Sequence, residues 1–272
     1  MNTLRTVRDF VAVLRGRSGL IFQLVKREVL ARYRGSVLGL AWIGLQPLLM
    51  LGLYTFAFAG IFKARWPGAE NSGGMGYAIH LFAGLIVFNL FAEVASKAPS
   101  LVIQQANLVK KVVFPLPSLA WVGVLPSMVQ LGLSYLIMVV VATAAGGAFE
   151  PTVLVFPVII LVFLPFLLGI CWFLSAAGVY LRDLAQMMTF VVNLALFLSP
   201  IFYPSSNLPK ALQPWMWLNP LSLMVEESRK VLVQGQWPAW GALGVYFVAS
   251  LVFAFVGYAW FKRLSKGFAD VV

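Results

Sequence analysis

The sequence predicts an all-α integral membrane protein, with six transmembrane helices per chain, an N-terminal amphipathic interface helix and a re-entrant outer hairpin between the fifth and sixth spans. Three observations predict it. Hydrophobic residues make up 61% of the 272 positions and charged residues only 11%, with a mean hydropathy of +0.90, whereas soluble chains carry about 25% charged side chains. Several apolar runs reach the roughly 20 residues that a helix needs to cross about 30 Å of hydrocarbon. The runs are continuous rather than alternating, which argues against a β-barrel.

Taken in order, residues 1–36 come first. Eight basic residues precede the first apolar run, too long a charged region for a secretory signal peptide. Projected at about 100° per residue, Gln23, Lys26, Arg27 and Arg34 fall on one face and Ile21, Leu24, Val25 and Val29 on the other. Glu28 and Arg32 are spaced i, i+4 in the favourable order. This pattern predicts a helix lying in the membrane interface; a merely solvated helix end is the alternative. Six spans follow within a transmembrane domain at 37–261, at residues 37–62, 78–95, 119–146, 152–180, 184–203 and 242–261, and residues 262–272 form a tail.

An even number of spans puts both termini on one side. That side receives 15 of the 20 Lys and Arg residues, so the positive-inside rule makes both termini cytoplasmic. It also carries the net charge of +11, which is directed at anionic membrane lipids and leaves no need for nucleic acid as a partner.

Between the second and third spans, residues 96–118 contain "NLVKKVVFPLP". A short helix ending at the prolines is predicted, because a residue before proline is pushed to extended backbone, here Phe114 and Leu116. Such a basic knob fits either a socket on a cytoplasmic partner or an ordinary topology-fixing loop. Arg182 and Asp183 form a tight turn between the fourth and fifth spans. The segment at 204–241 is rich in proline and tryptophan, with apolar stretches too short to cross. Two short helices broken at "LNP", with Asn219 as N-cap before Pro220, would cover the mouth of a pathway; a wet loop with an aromatic belt is the alternative.

Much familiar chemistry is missing. One cysteine, Cys171, permits no intrachain disulfide, and a single histidine, His80, no multi-histidine metal site. The sequence contains no G-x-x-x-x-G-K-[ST], G-x-S-x-G or H-E-x-x-H. Glu93 is the only acid within the apolar runs, where an ion-coupled pump would place several ionisable groups. No catalytic residue and no metal ligand is therefore assigned. An energised function would need a partner.

Four motifs occur in order over nearly the whole chain: "LVKREVLARYRGSVLGLAWIGLQPLL" at 24–49, "NLVKKVVFPLP" at 107–117, "VYLRDLAQ" at 179–186, and "LSPIFYPSSNLP" at 198–209 with "WLNPLSLMVEESRKVL" at 217–232. Together they resemble the ABC-2 type permeases that export cell-surface polysaccharides, nearer to the O-antigen kind than to the capsule kind. The resemblance implies a homodimer in the bacterial inner membrane, paired with two copies of a separate ATPase that binds ATP and Mg; this chain itself holds no cofactor. It places Asn107, Lys110 and Lys111 on a coupling helix, and Arg27, Arg32 and Arg34 where a lipid-linked sugar headgroup enters, guanidinium groups being suited to phosphate. Trp215, Trp217, Asn219 and Pro220 fall in its outer gate, where a periplasmic partner has room to dock.

A glycan path needs broad apolar faces. Tyr54, Phe58 and Phe62 recur at i, i+4, i+8 in the first span, and Phe190 and Phe197 share a face in the fifth; the family's habit of lining its channel with these two spans favours lining over packing. Two other functions stay open. An ABC-2 exporter of lipids or drugs is opposed by the entry motif and the outer hairpin. A membrane enzyme of lipid-linked sugar metabolism would need paired acids at the membrane edge, which Asp183 alone does not supply.

Overall fold

The computed structural model describes residues 18–63, 66–67, 73–111, 115–144, 150–209, 216 and 218–271. Among the described residues the chain is helical, with no strand. Helix α1 (Ser18–Tyr33) is followed by α2 (Trp42–Tyr54), which runs on into a π-helical turn at Thr55–Ile61. Then come α3 (Gly73–Gln104), the six-residue α4 (Ala106–Lys111), α5 (Leu119–Ala144), α6 (Phe156–Tyr180) and α7 (Leu184–Leu198). Helices α8 (Pro220–Val233), α9 (Trp240–Leu264) and α10 (Phe268–Val271) complete the fold. Gly35, at φ +88°, ends α1 in the left-handed conformation that glycine adopts without strain.

Among the described residues five helical segments are long and apolar enough to cross a membrane: Gly39–Phe58, Gly76–Gln104, Leu116–Ala144, Pro151–Tyr180 and Trp240–Gly267. The expected fifth span, 184–203, is shorter than the sequence suggested. Helix α7 stops at Leu198, so its 15 residues rise about 22 Å. The cause is local. Ser199 precedes Pro200 and takes extended backbone, at φ −97° and ψ 150°, as the pre-proline restriction requires.

The helices differ in how deeply they sit. In the apolar window of α3, 78% of residues are buried, against 11% in the segment containing α2, so α3 is the axis and α2 a peripheral stave. Around α3 pack α5, α6, α7 and α8, while α9 lies along α6. The last pair meets through small residues. A Cβ on Gly257 would come within 2.5 Å of the Gly169 carbonyl oxygen; in a membrane, where lipid competes equally for apolar surface, such backbone approach is what makes helix packing favourable. Several polar groups find partners inside the fold. Trp172 Nε1 donates to the Pro117 carbonyl at 2.8 Å, Tyr180 Oη to Leu264 at 2.9 Å and Thr152 Oγ1 to Val231 at 2.9 Å.

One backbone expectation fails. Leu116, expected to be extended before Pro117, lies instead in a 3-10 turn, Leu116–Ser118. Pro115 takes the extended conformation, and the Ser118 N–H closes the turn on the Pro115 carbonyl at 2.8 Å. Pro117 occupies a position in that turn where no N–H is required. Phe114 lies outside the described residues.

Candidate functional site

The first site is built on α1. Ile21, Leu24 and Val25 are buried, as their helical phase requires. The polar face is left to form a groove of about 600 Å³, lined by Gln23, Lys26, Arg27, Leu30 and Arg34 together with Leu40 from the following turn. Arg27 Nη2 donates to Gln105 Oε1 at 3.1 Å, fixing the groove against the end of α3. The three expected headgroup arginines are thus divided. Arg27 and Arg34 share the groove, whereas Arg32 turns to the other side of α1 and pairs with Glu93, which Lys97 Nζ also meets at 2.8 Å. Arg32 therefore reaches Glu93 rather than its expected partner Glu28. Glu93 is only 20% exposed, so it attracts a guanidinium more strongly than a carboxylate in water would, although Lys97 shares the same carboxylate.

The aromatic residues form the second feature. Phe58 packs on Phe62 with ring centroids 5.6 Å apart and on Phe202 at 6.4 Å, and Phe202 stacks on Phe197 at 5.8 Å. A continuous file of rings, Phe62–Phe58–Phe202–Phe197, thus joins α2 and its π-helical turn to the end of α7. Phe58 also stacks on Tyr77 at 5.1 Å, and Tyr77 Oη donates to the Phe202 carbonyl at 2.7 Å. Phe62, Phe190 and Phe197 are exposed, with Phe190 two helical turns before Phe197. Tyr54 is half-buried and faces a different cavity. The two expected stripes are therefore brought together at one end only, through Phe202, which the sequence reading did not single out.

At the coupling segment, Asn107 is exposed on α4, and Lys110 and Lys111 close that helix. The side chains of both lysines lie outside the described residues. Arg182 and Asp183 are exposed in the turn between α6 and α7, where the Asp183 carbonyl accepts from the Met187 N–H at 3.0 Å.

Trp215 and Trp217 lie outside the described residues, but the cap beside them is plain. Asn219 Oδ1 accepts from the Leu221 N–H at 2.9 Å, and its Nδ2 donates to Ser199 Oγ at 3.0 Å and to the Leu198 carbonyl at 3.2 Å. Pro220 occupies the first helical position, where its missing N–H costs nothing. One residue thereby caps α8 and ties it to the end of α7.

By charge count alone Arg229 is one of the five Lys and Arg residues left on the outer side. It is 2% exposed. Its Nε donates to the His80 carbonyl at 3.0 Å, and its two terminal nitrogens donate to the carbonyls of Pro200 and Ile201. The guanidinium also stands 4.6 Å from the centre of the Trp66 ring, a cation–π contact. Burial pulls its pKa down to about 10, with Glu226 acting in the opposite direction, and it remains charged at neutral pH. Nearby, the buried Glu227 accepts from Lys230 Nζ at 2.6 Å and from the Ala239 N–H at 2.8 Å. A signal existed in the sequence: Arg229 continues the Leu221, Val225 apolar spacing of α8 at i+4. An arginine in helical phase with buried residues needs acceptors.

Among the described residues the arrangement offers surfaces and fixed cations but no reactive constellation. Among the described residues no group of three or more His, Cys, Asp or Glu could hold a metal ion.

The sequence model of the ABC-2 type transporter family matches residues 19–233. The O-antigen export system permease protein RfbA of Myxococcus xanthus is 27% identical over 256 residues, 93% of this chain and 95% of that protein. The protein of the same name from Klebsiella pneumoniae is 25% identical over 258 residues, again 93% and 95% of the two chains. The polysialic acid transport protein KpsM of Escherichia coli is 23% identical over 253 residues, 89% and 92%.

Proposed function

The chain belongs to the ABC-2 type transporter family, and from that premise we propose that it is the membrane-spanning subunit of an ATP-driven exporter of lipid-linked cell-surface polysaccharide. An O-antigen-type glycan is the first choice, after the relatives with the higher identities, and a capsule-type glycan the next, after the polysialic acid transport protein. The observation that carries this reading is the file of rings from Phe62 to Phe197. Aromatic faces give broad, weakly directional contact to the apolar faces of sugars, so a long glycan slides over them without being trapped at one position.

The finer parts of the proposal follow from this. Helix α7 serves as a sixth span, both termini are cytoplasmic, and the membrane is the bacterial inner membrane. Helix α1 lies in the cytoplasmic interface, where Arg27 and Arg34 meet the phosphate of the lipid-linked headgroup, being always charged and able to bind it bidentately. Helix α8 belongs to an outer gate that dips into the far leaflet. Two copies of the chain form the conduit, and two copies of an ATPase carrying ATP and Mg engage Asn107, Lys110 and Lys111 from below.

Deleting this chain is the direct test. Lipid-linked glycan is expected to accumulate in the cytoplasm and to disappear from the cell surface; normal surface glycan without accumulation would overturn the proposal. The coupling assignment has its own test. Lys110→Glu combined with Lys111→Glu is expected to cut export by an order of magnitude or more, since each like-charge contact at an interface costs several kcal/mol, while membrane insertion is unchanged. Undiminished export would remove these lysines from the ATPase interface.

A further inference from the structure

A second cavity, of about 520 Å³, lies between α2, α3 and α5 and shares no lining residue with the α1 groove. Its rim is the cluster of Arg32, Glu93 and Lys97, and its walls carry Gln46, Asn89, Ser127, Gln130 and Ser134. Helical spacing assembles it. Asn89, Glu93 and Lys97 recur at i, i+4, i+8 on α3, and Ser127, Gln130 and Ser134 follow at i, i+3, i+7 on α5. All three wall helices belong to segments able to span a membrane, where polar side chains aimed at lipid are costly and those that persist line cavities.

Asn89 decides the reading. Every other residue from 80 to 91 is buried, and Asn89 alone is exposed, into this cavity. The buried Ser127 Oγ and Arg32 Nε find no hydrogen-bond partner among the described residues. The space therefore holds two unused polar atoms beneath a charged rim, in a volume within the range of about 300–1,000 Å³ typical of small-ligand sites. Gln130 Nε2 and Ser134 Oγ donate instead to the Ile43 and Gln130 carbonyls.

The charges select the ligand. Arg32 and Lys97 share the single carboxylate of Glu93, leaving one net positive charge at the rim, which matches one phosphodiester. An ammonium headgroup would have to compete with two cations for Glu93. Carboxamides and hydroxyls instead suit the free hydroxyls of a polyol. Pro47, Met50, Leu90 and Leu131 complete the walls with apolar surface for the start of an acyl chain.

We propose that this cavity binds one anionic phospholipid whose headgroup carries free hydroxyls, with its phosphate at Arg32 and Lys97 and its hydroxyls among Gln46, Asn89 and Ser127. The bound lipid supports α2, the least buried stave, and joins it to α1, α3 and α5. The site requires only the membrane setting and does not depend on which molecule the transporter exports.

The test uses the full-length chain in mixed lipid containing equal amounts of phosphatidylglycerol, phosphatidylethanolamine, phosphatidylcholine and a polyprenyl phosphate, with retained lipid read by native mass spectrometry. One phosphatidylglycerol per chain is expected, favoured about tenfold over phosphatidylcholine. That preference is expected to vanish in Asn89→Leu and to weaken in Ser127→Ala, with thermal unfolding checking that each variant is folded. Arg32→Gln, at the rim, replaces any variant that fails this check and is expected to lose the preference as well. Equal retention of all four lipids, or a preference unchanged in the folded variants, would overturn the site. Preferential retention of phosphatidylethanolamine would overturn the choice of hydroxyls over an ammonium. Preferential retention of the polyprenyl phosphate would overturn the choice of bilayer lipid over a carrier lipid.

Discussion

Two arginines mark opposite ends of α3, and they are held in opposite ways. Arg32 pairs with Glu93, in company with Lys97, at the partly exposed rim of a cavity. Among the described residues Arg229 forms no ion pair with a carboxylate; its donors go to the carbonyls of His80, Pro200 and Ile201, and its face lies over Trp66. Their partners on α3, His80 and Glu93, are 13 residues apart, about 20 Å at the usual helical rise. The difference reflects what each cation replaces. Arg32 exchanges water for a carboxylate and keeps contact with solvent, so its net contribution is small. Arg229 is fully desolvated, and it satisfies carbonyls that the Ser199–Pro200 break has removed from helical hydrogen bonding, so both its charge and those carbonyls depend on the contact. One end of the molecule is thus an exchangeable ionic contact and the other a fixed clasp.

The largest effect is expected at the clasp. Arg229→Ala leaves the carbonyls of Pro200 and Ile201 buried without their donor and opens a void, at a cost on the order of 3–5 kcal/mol, measurable as a lowered thermal unfolding midpoint in detergent. Arg229→Lys is expected to recover little of it, because an ammonium does not present a planar fork to carbonyls from separate segments. A fully stable Arg229→Ala protein would break the comparison.

A smaller loss is expected from Gly84→Ala. The new Cβ would come within 2.7 Å of Arg229 Nη2 and 3.3 Å of Val225 Cγ1, and displacing a buried, three-way-bonded guanidinium costs about 1–3 kcal/mol. The same unfolding measurement reads it, and an effect on top of Arg229→Ala as large as in the wild type would show that the clasp is not what Gly84 accommodates.

The smallest effect is expected at the rim. Glu93→Gln removes the shared carboxylate, yet both cations can turn to water, so the loss is under about 1 kcal/mol. It is expected instead as faster amide hydrogen exchange in α1, whose Arg32 is released. A loss matching that of Arg229→Ala would show that the two ends are alike.

These contacts also show how far a sequence can be read. The amphipathic phase of α1 is legible because Ile21, Leu24 and Val25 are neighbours within one helix. The cap at Asn219 is legible because it acts two residues away, on Leu221. Sequence spacing pairs Arg32 with Glu28 because only local partners are visible in a sequence; Glu93, 61 positions further on, wins because folding places it against Arg32 where water is largely excluded. Phe202 escaped notice because it lies in the irregular stretch after α7, and its link to Phe58 exists only once α2 and α7 are brought together. Arg229 was legible in part: its spacing from Leu221 and Val225 marks the buried face of α8, although its acceptors are distant.

By itself, then, the sequence determined the helical membrane class and the family, through apolar length, helical period and local motifs that act within a few residues. Only the tertiary structure decided which end of α7 meets α2, which carboxylate holds Arg32, that Arg229 is buried, and that Asn89 faces a cavity. Those outcomes depend on contacts between segments far apart in the chain, and burial, which sets the strength of every charge and hydrogen bond involved, does not exist until those segments pack.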